Sequence, residues 1–485
     1  MVRRKVYAVG TALAMAGSIA GCGSASQTSS INTTKPTQIN MLYANSQADS
    51  QALIAVLPQF EKKYGIKVNL TTMPYNSLEQ KVFSEFAAHN SYYNVMISDT
   101  PWAPTLAKQF QPLLPYILNP KMTNPKTFDI GDFIPKVFLD TSVYNLNNPS
   151  EEPPPEKIIS AQAIQKAGFN VIGLPLQANV VTYEYRTSLF DNPANQKAFY
   201  KEFGFKLQAP KTWTQWEDIA RFFTRPQSHL WGTTLMPAVQ AGGLADFKNF
   251  ITGWGGHLFN GFPPPKENSN SPTWKPTLYS PQNVAAMTFV STLVNKYHAT
   301  PPGVSNMNFD TAATAFDAGL VAMSYNYANV SLDKGVPGGI KYFEQPYNVI
   351  NGKKYDSPHF GTWMIGINKY SSNKYWSWKL IEWLTSKPVQ IEMLKEGIHP
   401  SRASAYEAAI RSPEITSKYG NFYNILFKSL QIGLGRPRLV DYNEMANPIH
   451  VLYNNIVTGK MTVSQALRWG DTQETQVMKQ LGYLH

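Results

Sequence analysis

Two short segments place polar and aromatic side chains directly after predicted strands. Asp99 and Trp102 follow the apolar strand Val95–Ile97, and Tyr325 with Asn326 ends a second apolar stretch. Carboxylate and amide groups in fixed positions bond hydroxyl groups, and an aromatic ring covers the apolar face of a ligand. The alternatives are local: Asp99 can cap a helix, and Trp102 can pack within its own domain. These residue types predict ligand recognition more readily than bond-breaking chemistry.

Sequence signatures of catalysis are missing from the chain. It contains no His-Glu-x-x-His, no Gly-x-x-x-x-Gly-Lys and no Gly-x-Ser-x-Gly segment. The eight histidines are scattered without metal-ligand spacing, so we expect no metal and no cofactor. A glycosidase needs two carboxylates about 5–10 Å apart, and Asp99 with Glu184 is one conceivable pair. We therefore expect a binding protein that is not an enzyme, with a surface carbohydrate hydrolase as the weaker alternative.

The N-terminus has the layout of an export signal. The basic residues Arg3–Lys5 precede a short apolar run, Val6–Ala20, and Ile-Ala-Gly leads directly into Cys22, the only cysteine. This arrangement resembles a bacterial lipobox, in which the thiol carries diacylglycerol. We predict a lipoprotein signal peptide over 1–21 and a lipid-anchored flexible tether over 22–36, which is rich in Ser, Thr, Asn and Gln.

The charge distribution argues against a nucleic-acid partner. The net charge is +11, but only 15% of residues are charged and the Lys and Arg residues are spread singly. Beyond the leader, no stretch approaches 18 consecutive apolar residues, so no further membrane span is predicted.

The elements that would position these side chains alternate between strand and helix. We predict strands at 39–43, 66–70 and 95–97, with helices at 49–64 and around 78–86 between them. This βαβαβ order implies a parallel sheet, and ligands meet such sheets at the carboxyl ends of the strands.

Further along, the pattern predicts one strand over 171–176 and a helix with Thr212 or Thr214 as its N-cap. Further helix signals lie at 244–260, 281–297, 311–318 and 372–386, and they dominate from 388 onward.

An ordered set of segments supports a family resemblance over about 37–480. The set includes Pro210–Trp213 at the head of a helix, Trp254–Phe259, Phe316–Met323 and Gly397–Arg402. Together these segments resemble bacterial extracellular solute-binding proteins of family 1, the maltose-binding-protein-like sugar receptors of ABC importers.

The resemblance implies an α/β, two-lobed periplasmic-binding-protein-like fold of type II. Each lobe would hold a mostly parallel sheet flanked by helices, with a ligand cleft at a hinge that several strands cross. Lobe 1 would comprise 37–175 plus 359–402, and lobe 2 would comprise 176–358 plus 403–485. Closure by hinge bending would trap the ligand.

The resemblance and the strand ends together predict a set of ligand-binding side chains. For each one, packing within a lobe is the alternative, or an interlobe ion pair for the single arginine. The predicted residues are Asp99, Trp254, Trp363, Tyr325, Asn326, Gln177, Asn179, Tyr183 and Arg402.

The implied function is delivery of a sugar or short oligosaccharide to the permease subunits of an ABC importer. The chain would be a monomer, lipid-anchored on the extracytoplasmic face of the cell membrane. The alternative ligand on the same fold is a non-sugar solute, such as a phosphorylated polyol, a polyamine or a peptide.

Overall fold

The computed structural model describes residues 32–45, 47–157, 159–239, 242–261, 274–328, 336 and 338–484. The predicted signal peptide, Cys22 and most of the predicted tether lie outside the described residues.

Twelve strands are described, and all are short. In chain order they are β1 Gln38–Ala44, β2 Lys67–Met73, β3 Val95–Asp99, β4 Val143–Tyr144, β5 Asn170–Val171, β6 Leu174–Gln177, β7 Val181–Arg186, β8 Met323–Tyr327, β9 Ile340–Phe343, β10 Asn348–Ile350, β11 Lys353–Tyr355 and β12 Trp363–Ile367.

The helices of the described residues surround these strands. The α-helices are Gln47–Tyr64, Tyr75–Ala87, Ala103–Leu106, Leu114–Ile117, Pro125–Phe128, Pro135–Ser142, Ala161–Lys166, Thr187–Phe190, Pro193–Phe203, Trp213–Phe223, Gly243–Gly253, Pro281–Ser291, Phe309–Asp317, Lys374–Leu384, Lys387–Met393, Ala403–Arg411, Pro413–Tyr419, Phe422–Ile432, Tyr442–Val457 and Val463–Gln480. The described part of the chain contains no helix long and apolar enough to span a bilayer.

The first sheet has the order β2-β1-β3-β12-β6, and with its helices it forms lobe one. β1, β2 and β3 run parallel, as the βαβαβ pattern predicts, because the helices Gln47–Tyr64 and Tyr75–Ala87 return the chain between them. β12 enters from a distant part of the sequence and pairs antiparallel with both β3 and β6.

The second sheet has the order β8-β7-β9, and with its helices it forms lobe two. It differs from the expected mostly parallel sheet, since both of its strand pairs are antiparallel. In the β7–β8 pair, Val181 at the start of β7 lies opposite Tyr327 at the end of β8, so the two strands run in opposite directions. The chain enters lobe two along β7 and returns toward the hinge along β8.

Two separate hydrophobic cores support the two-lobed interpretation. One core draws its residues from 39–176 and 363–398, and the other from 181–343 and 439–483. A third cluster joins residues of the helices at 403–432 to the crossings between the lobes, including Ala178, Val180 and Phe360. The lobe boundaries given by the sequence stay a prediction.

Backbone hydrogen bonds join the chain segments that cross between the lobes. The amide of Val181 donates to His359 at 3.0 Å, Gly361 donates to Asn179 at 2.9 Å, and Phe360 donates to Leu434 at 3.0 Å. Three extended segments therefore lie side by side where the lobes meet.

The predicted N-cap agrees with the structure, whereas the predicted strand over 171–176 does not. Thr212 is the N-cap of the helix Trp213–Phe223, and its side chain accepts a hydrogen bond from the amide of Gln215. The single strand predicted over 171–176 is instead two strands, β5 and β6. Gly173 lies between them, and a Cβ there would come within 2.7 Å of the Ile365 carbonyl oxygen.

Glu474 generates a test of stability against pH. It is buried in the helix Val463–Gln480, and neither carboxyl oxygen accepts a hydrogen bond from a described residue. Burial and nearby Asp471 raise its pKa to about 9, from an ordinary value of 4.5. As pH rises between these two values, the unfolded chain releases a proton that the folded chain retains. The free energy of unfolding therefore falls by about 1.4 kcal/mol for each pH unit of that rise.

We expect Glu474→Gln to raise the melting temperature at pH 8 and to leave it unchanged at pH 4, as measured by calorimetry. Exposed Glu414→Gln serves as the control. An equal effect of Glu474→Gln at both pH values would contradict this assignment.

Candidate ligand-binding cleft

Three of the predicted residues lie in one row at an edge of the lobe-one sheet. Asp99 ends β3, Trp363 begins β12, and Gln177 ends β6, and Trp363 is in register with both of the others. The Gln177 amide donates to Asp49 Oδ2 at 2.6 Å. The antiparallel course of β12 puts its first residue beside the last residues of its neighbours, which is why these distant positions meet.

An aromatic cluster borders this row. The Tyr75 ring stacks on Trp363 at 6.2 Å and tilts against Trp102 at 5.0 Å, and Trp363 meets the edge of Tyr43 at 6.2 Å. Trp102 and Trp363 are only 2% and 8% exposed, whereas Tyr75 is 36% exposed. Tyr75 therefore presents the accessible ring, and the two tryptophans support it.

Asp99 is buried and surrounded by donors. Its Oδ2 accepts the Tyr75 hydroxyl at 2.6 Å, and its Oδ1 accepts the Thr100 amide at 2.7 Å and Arg436 Nη1 at 3.0 Å. A carboxylate offers about four acceptor positions, so the remaining capacity lies on Oδ2. A ligand hydroxyl would bond there or displace one of the present donors.

Arg436 links the two lobes. Beyond its ion pair with Asp99, Nη1 donates to Thr100 Oγ1 at 3.1 Å, and Nη2 donates to the Tyr327 hydroxyl of lobe two at 3.3 Å. Burial lowers its pKa, but Asp99 and the surrounding tyrosines raise it well above the ordinary value overall. The guanidinium stays charged and holds groups from both lobes.

Tyr327 extends this network to the hinge. Its hydroxyl shares a hydrogen bond of 2.5 Å with Nδ1 of His359, which lies in one of the chain crossings. Burial, with Lys248 and Arg436 nearby, lowers the pKa of His359 well below its ordinary value, so its imidazole is neutral.

Arg436 belongs to a segment, residues 433–441, that we call the interlobe strap. Arg438 of the strap donates to the carbonyl oxygens of Leu139 and Val143 in lobe one at 2.7 and 2.8 Å, and it stacks on Tyr144. Leu439 is buried in the core of lobe two. The strap is thus bonded to one lobe and packed into the other.

Three predicted ligand residues lie inside lobe two. Tyr183 and Tyr325 are fully buried and stack at 5.5 Å, and the Tyr325 hydroxyl donates to Asp246 at 2.6 Å. The Asn326 amide donates to the Phe309 carbonyl oxygen at 2.8 Å. The structure does not bring these side chains to the Asp99 row, and their packing argues for a structural role.

Trp254 also packs within lobe two. It follows the helix Gly243–Gly253, stacks on Trp213 at 5.4 Å and tilts against Phe289 at 5.0 Å. It is partly exposed, and its role as a ligand contact stays a prediction.

Arg402 lies within lobe one and is 1% exposed. Its Nη2 donates to the Phe128 carbonyl oxygen at 2.8 Å, and its guanidinium stacks on Phe133 at 4.1 Å. Its ion pair is with Asp132 of the same lobe, at 3.4 Å, so the structure provides no interlobe pair for it. Asn179 lies in the crossing next to Gly361, and its predicted ligand role stays untested.

Sequence reasoning missed Tyr75, Tyr327 and Arg436. Tyr75 begins the helix after β2, so it lies at the carboxyl end of a strand, as Asp99 does, and the same rule could have found it. Arg436 is 337 residues from Asp99 and left no local signal. No group of His, Cys, Asp or Glu suited to a metal ion occurs among the described residues.

The fold consists of two α/β lobes joined by hydrogen-bonded crossings, with a row of aromatic and polar groups where the lobes meet. This architecture defines a binding protein of the type II periplasmic-binding-protein-like class. The sequence profile of the bacterial extracellular solute-binding proteins matches residues 43–391. The chain belongs to this family, whose members are binding proteins that act outside the cytoplasm.

Solved structures agree with the fold. The maltose-bound MalE3 protein of T. maritima is 21% identical, with a TM-score of 0.69 over 91% of this chain and 99% of that chain. A solute-binding protein of Agrobacterium radiobacter in complex with ribitol is 19% identical, with a TM-score of 0.70 over 91% and 100%. The Listeria monocytogenes protein Lmo0181, in complex with cycloalternan, is 19% identical, with a TM-score of 0.69 over 92% and 100%.

The Arg436 network generates a test of lobe closure without ligand. Arg436→Gln removes an ion pair whose side chains are 9% and 2% exposed and leaves Asp99 buried with fewer donors. Breaking such a pair costs about 3–5 kcal/mol. We expect a lower melting temperature and a larger radius of gyration in X-ray scattering of the sugar-free protein.

Lys428→Gln, which breaks an exposed pair with Glu344, is the control and should leave the scattering unchanged. If the curve of folded Arg436→Gln superimposes on that of the wild type, the ion pair does not hold the lobes together.

Proposed function

We propose that the chain is the substrate-binding lipoprotein of an ABC importer and that it binds a sugar or short oligosaccharide between its lobes. The observation that carries the proposal is the accessible ring of Tyr75, whose hydroxyl bonds Asp99, the partner of Arg436. A sugar ring presents C–H faces to an aromatic surface and hydroxyl groups to charged and amide side chains. The Asp99 row offers both kinds of partner within one small area.

The ligands of the structural relatives support the same class of guest. Maltose, ribitol and cycloalternan are bound by proteins that share this fold, and each of these ligands is rich in hydroxyl groups. Closure of two lobes over such a ligand needs contacts from both sides, and Asp99 and Tyr327 come from different lobes.

The balance of charge between the lobes argues against the alternative solutes. The charged groups that act on one another electrostatically in this region comprise three acids and three bases. The acids are Asp99, Asp140 and Glu152, and the bases are Lys248, Arg436 and Arg438. A phosphorylated polyol would favour an excess of basic groups, and a polyamine would favour an excess of acidic groups. A neutral guest suits this balanced set best.

A hydrolase is the weaker candidate. Of the two carboxylates considered from the sequence, Asp99 ends a lobe-one strand, while Glu184 lies within β7 opposite Ser324 in lobe two. The two carboxylates therefore lie on different sheets, and no strand pairing of the described residues places them side by side.

The proposal includes a lipid anchor at Cys22, export by the preceding leader, and delivery of the sugar to permease subunits by a monomer. The lipobox-like Ile-Ala-Gly-Cys order supports the anchor. We expect Cys22→Ser to release the protein from the membrane fraction while sugar binding is retained. Cell fractionation with immunoblotting measures the release, and a variant that stays in the membrane fraction through washing would contradict lipidation.

The aromatic surface generates a test of ligand binding. Thermal-shift screening against a panel of mono- and oligosaccharides, followed by calorimetric titration, identifies a sugar ligand. We expect Tyr75→Ala to weaken that affinity at least tenfold, about 1.4 kcal/mol, because the accessible ring is lost. Tyr75→Phe keeps the ring and removes only the bond to Asp99, so we expect a smaller loss.

Tyr200→Ala is the matched control, because Tyr200 is an exposed tyrosine, 62% accessible, on the helix Pro193–Phe203. Wild-type affinity in folded Tyr75→Ala would place the sugar elsewhere. A wild type that binds no sugar of the panel would refute the function itself.

A further inference from the structure

The edge of lobe one that lies opposite the Asp99 row is rich in lysine. The parallel strands β1, β2 and β3 run toward that row, so their first residues lie at the other edge, about 20 Å away along a seven-residue strand. β12 runs the other way and ends at this second edge. We call the edge formed by residues 32–40, 61–69, 88–96 and 367–376 the basic edge. Its lysines, all at least partly exposed, are Lys35, Lys62, Lys63, Lys67, Lys369 and Lys374.

Four of these lysines surround the turn at Gly65. Lys62 and Lys63 lie in the last turn of the preceding helix, and Lys67 begins β2 directly after the turn. Lys35 approaches from the segment before β1, and a Cβ at position 65 would lie 2.9 Å from its Nζ. The fold thus brings together ammonium groups from two separate parts of the sequence.

Acidic groups are scarce along the basic edge. Glu61 is the only acid in its four segments, and its Oε1 already accepts the Val68 amide at 2.8 Å. Among the described residues, no carboxylate forms an ion pair with any of the four lysines around Gly65. Like charges on one face attract an extended anionic surface, so the basic edge is suited to a polyanionic partner.

The predicted tether enters the fold at this same edge. The Trp376 indole donates to the Thr33 carbonyl oxygen at 3.0 Å, and the Trp376 ring meets Tyr64 at 5.9 Å. The stretch from Cys22 to Asn32 is about ten residues long, and a chain of that length spans at most about 35 Å. A lipid on Cys22 would therefore keep the basic edge close to the membrane surface.

An exposed aromatic ring accompanies the lysines. Tyr92 is 55% exposed, and its backbone carbonyl oxygen accepts the side-chain amide of Asn40 at 3.0 Å, which fixes it beside the start of β1. Tyrosine rings are enriched at membrane–water interfaces because one end is apolar and the other is polar. The combination of lysines and an exposed tyrosine favours a lipid surface over other polyanions.

We propose that the basic edge docks on anionic lipid headgroups, so that the anchored chain turns its Asp99 row away from the membrane. The inference rests on the lipid anchor of the proposed function and deepens it. The ammonium groups approach the lipid phosphates, and the Tyr92 ring lies at the level of the headgroups. Because the tether holds the edge near the surface, a weak attraction that salt can screen is sufficient. Docking is therefore reversible, as delivery to a permease requires.

The test measures the orientation of the lipidated chain in phosphatidylcholine vesicles with and without phosphatidylglycerol. Ser91→Cys provides a labelling site on the basic edge, since the proposed lipid occupies the thiol of Cys22, the only natural cysteine. Energy transfer from this label to a labelled headgroup reports their distance. We expect transfer to increase when phosphatidylglycerol is present. A label at Tyr200→Cys, on lobe two, should show no increase.

Two quadruple variants with equal loss of charge locate the contact. One combines Lys35→Gln, Lys62→Gln, Lys63→Gln and Lys67→Gln, and we expect it to abolish the response of the Ser91→Cys label to phosphatidylglycerol. The matched control replaces four exposed lysines of lobe two by glutamine and should keep that response. Its positions are Lys197, Lys201, Lys206 and Lys211. Circular dichroism verifies that both variants are folded, and high salt should abolish the wild-type response.

The outcomes separate this inference from the proposed anchor. If Cys22 carries lipid but the two quadruple variants respond alike, the basic edge does not dock, and the anchor stands. A wild type that does not respond to phosphatidylglycerol, or that responds equally at both label positions, overturns the docking as well. If cell fractionation of Cys22→Ser shows that Cys22 carries no lipid, the anchor fails, and the docked orientation fails with it.

Discussion

The buried ion pair between Asp99 and Arg436 is the interaction around which the two lobes are arranged. Both side chains are nearly inaccessible, and a charge in such a place is tolerated only with a partner and further hydrogen bonds. Thr100 and Tyr75 provide those bonds from lobe one, and Tyr327 provides one from lobe two. The proposed ligand site and the contact between the lobes therefore share the same atoms.

Strand register determines which side chains reach that pair. β12 runs antiparallel between β3 and β6, so Trp363, Asp99 and Gln177 share one edge although they are far apart in sequence. Because side chains alternate along a strand, a shift of one residue would turn Trp363 away from Tyr75. The position of the aromatic surface thus depends on backbone pairing in the core of lobe one.

The sequence predicted what depends on local pattern. The strands and helices around 38–99, the N-cap Thr212 and the strand end at Asp99 follow from periodicity and capping rules. Arg436 could not be found this way, because its role exists only once two distant segments meet. Closeness to a strand end likewise does not tell whether a ring points into the core, as the buried ring of Tyr325 illustrates, and the predicted ligand role of Tyr325 stays a prediction.

The hydrogen bonds between the chain crossings limit how the lobes can move relative to each other. Three extended segments, around Asn179, Phe360 and Leu434, are hydrogen-bonded side by side, so none can swivel alone. Twisting or sliding of one lobe against the other would break several backbone hydrogen bonds at once, whereas a common bend preserves them. We therefore expect the lobes to move relative to each other mainly by bending about one axis, so that the distance between two fluorescent labels, one on each lobe, would report that motion.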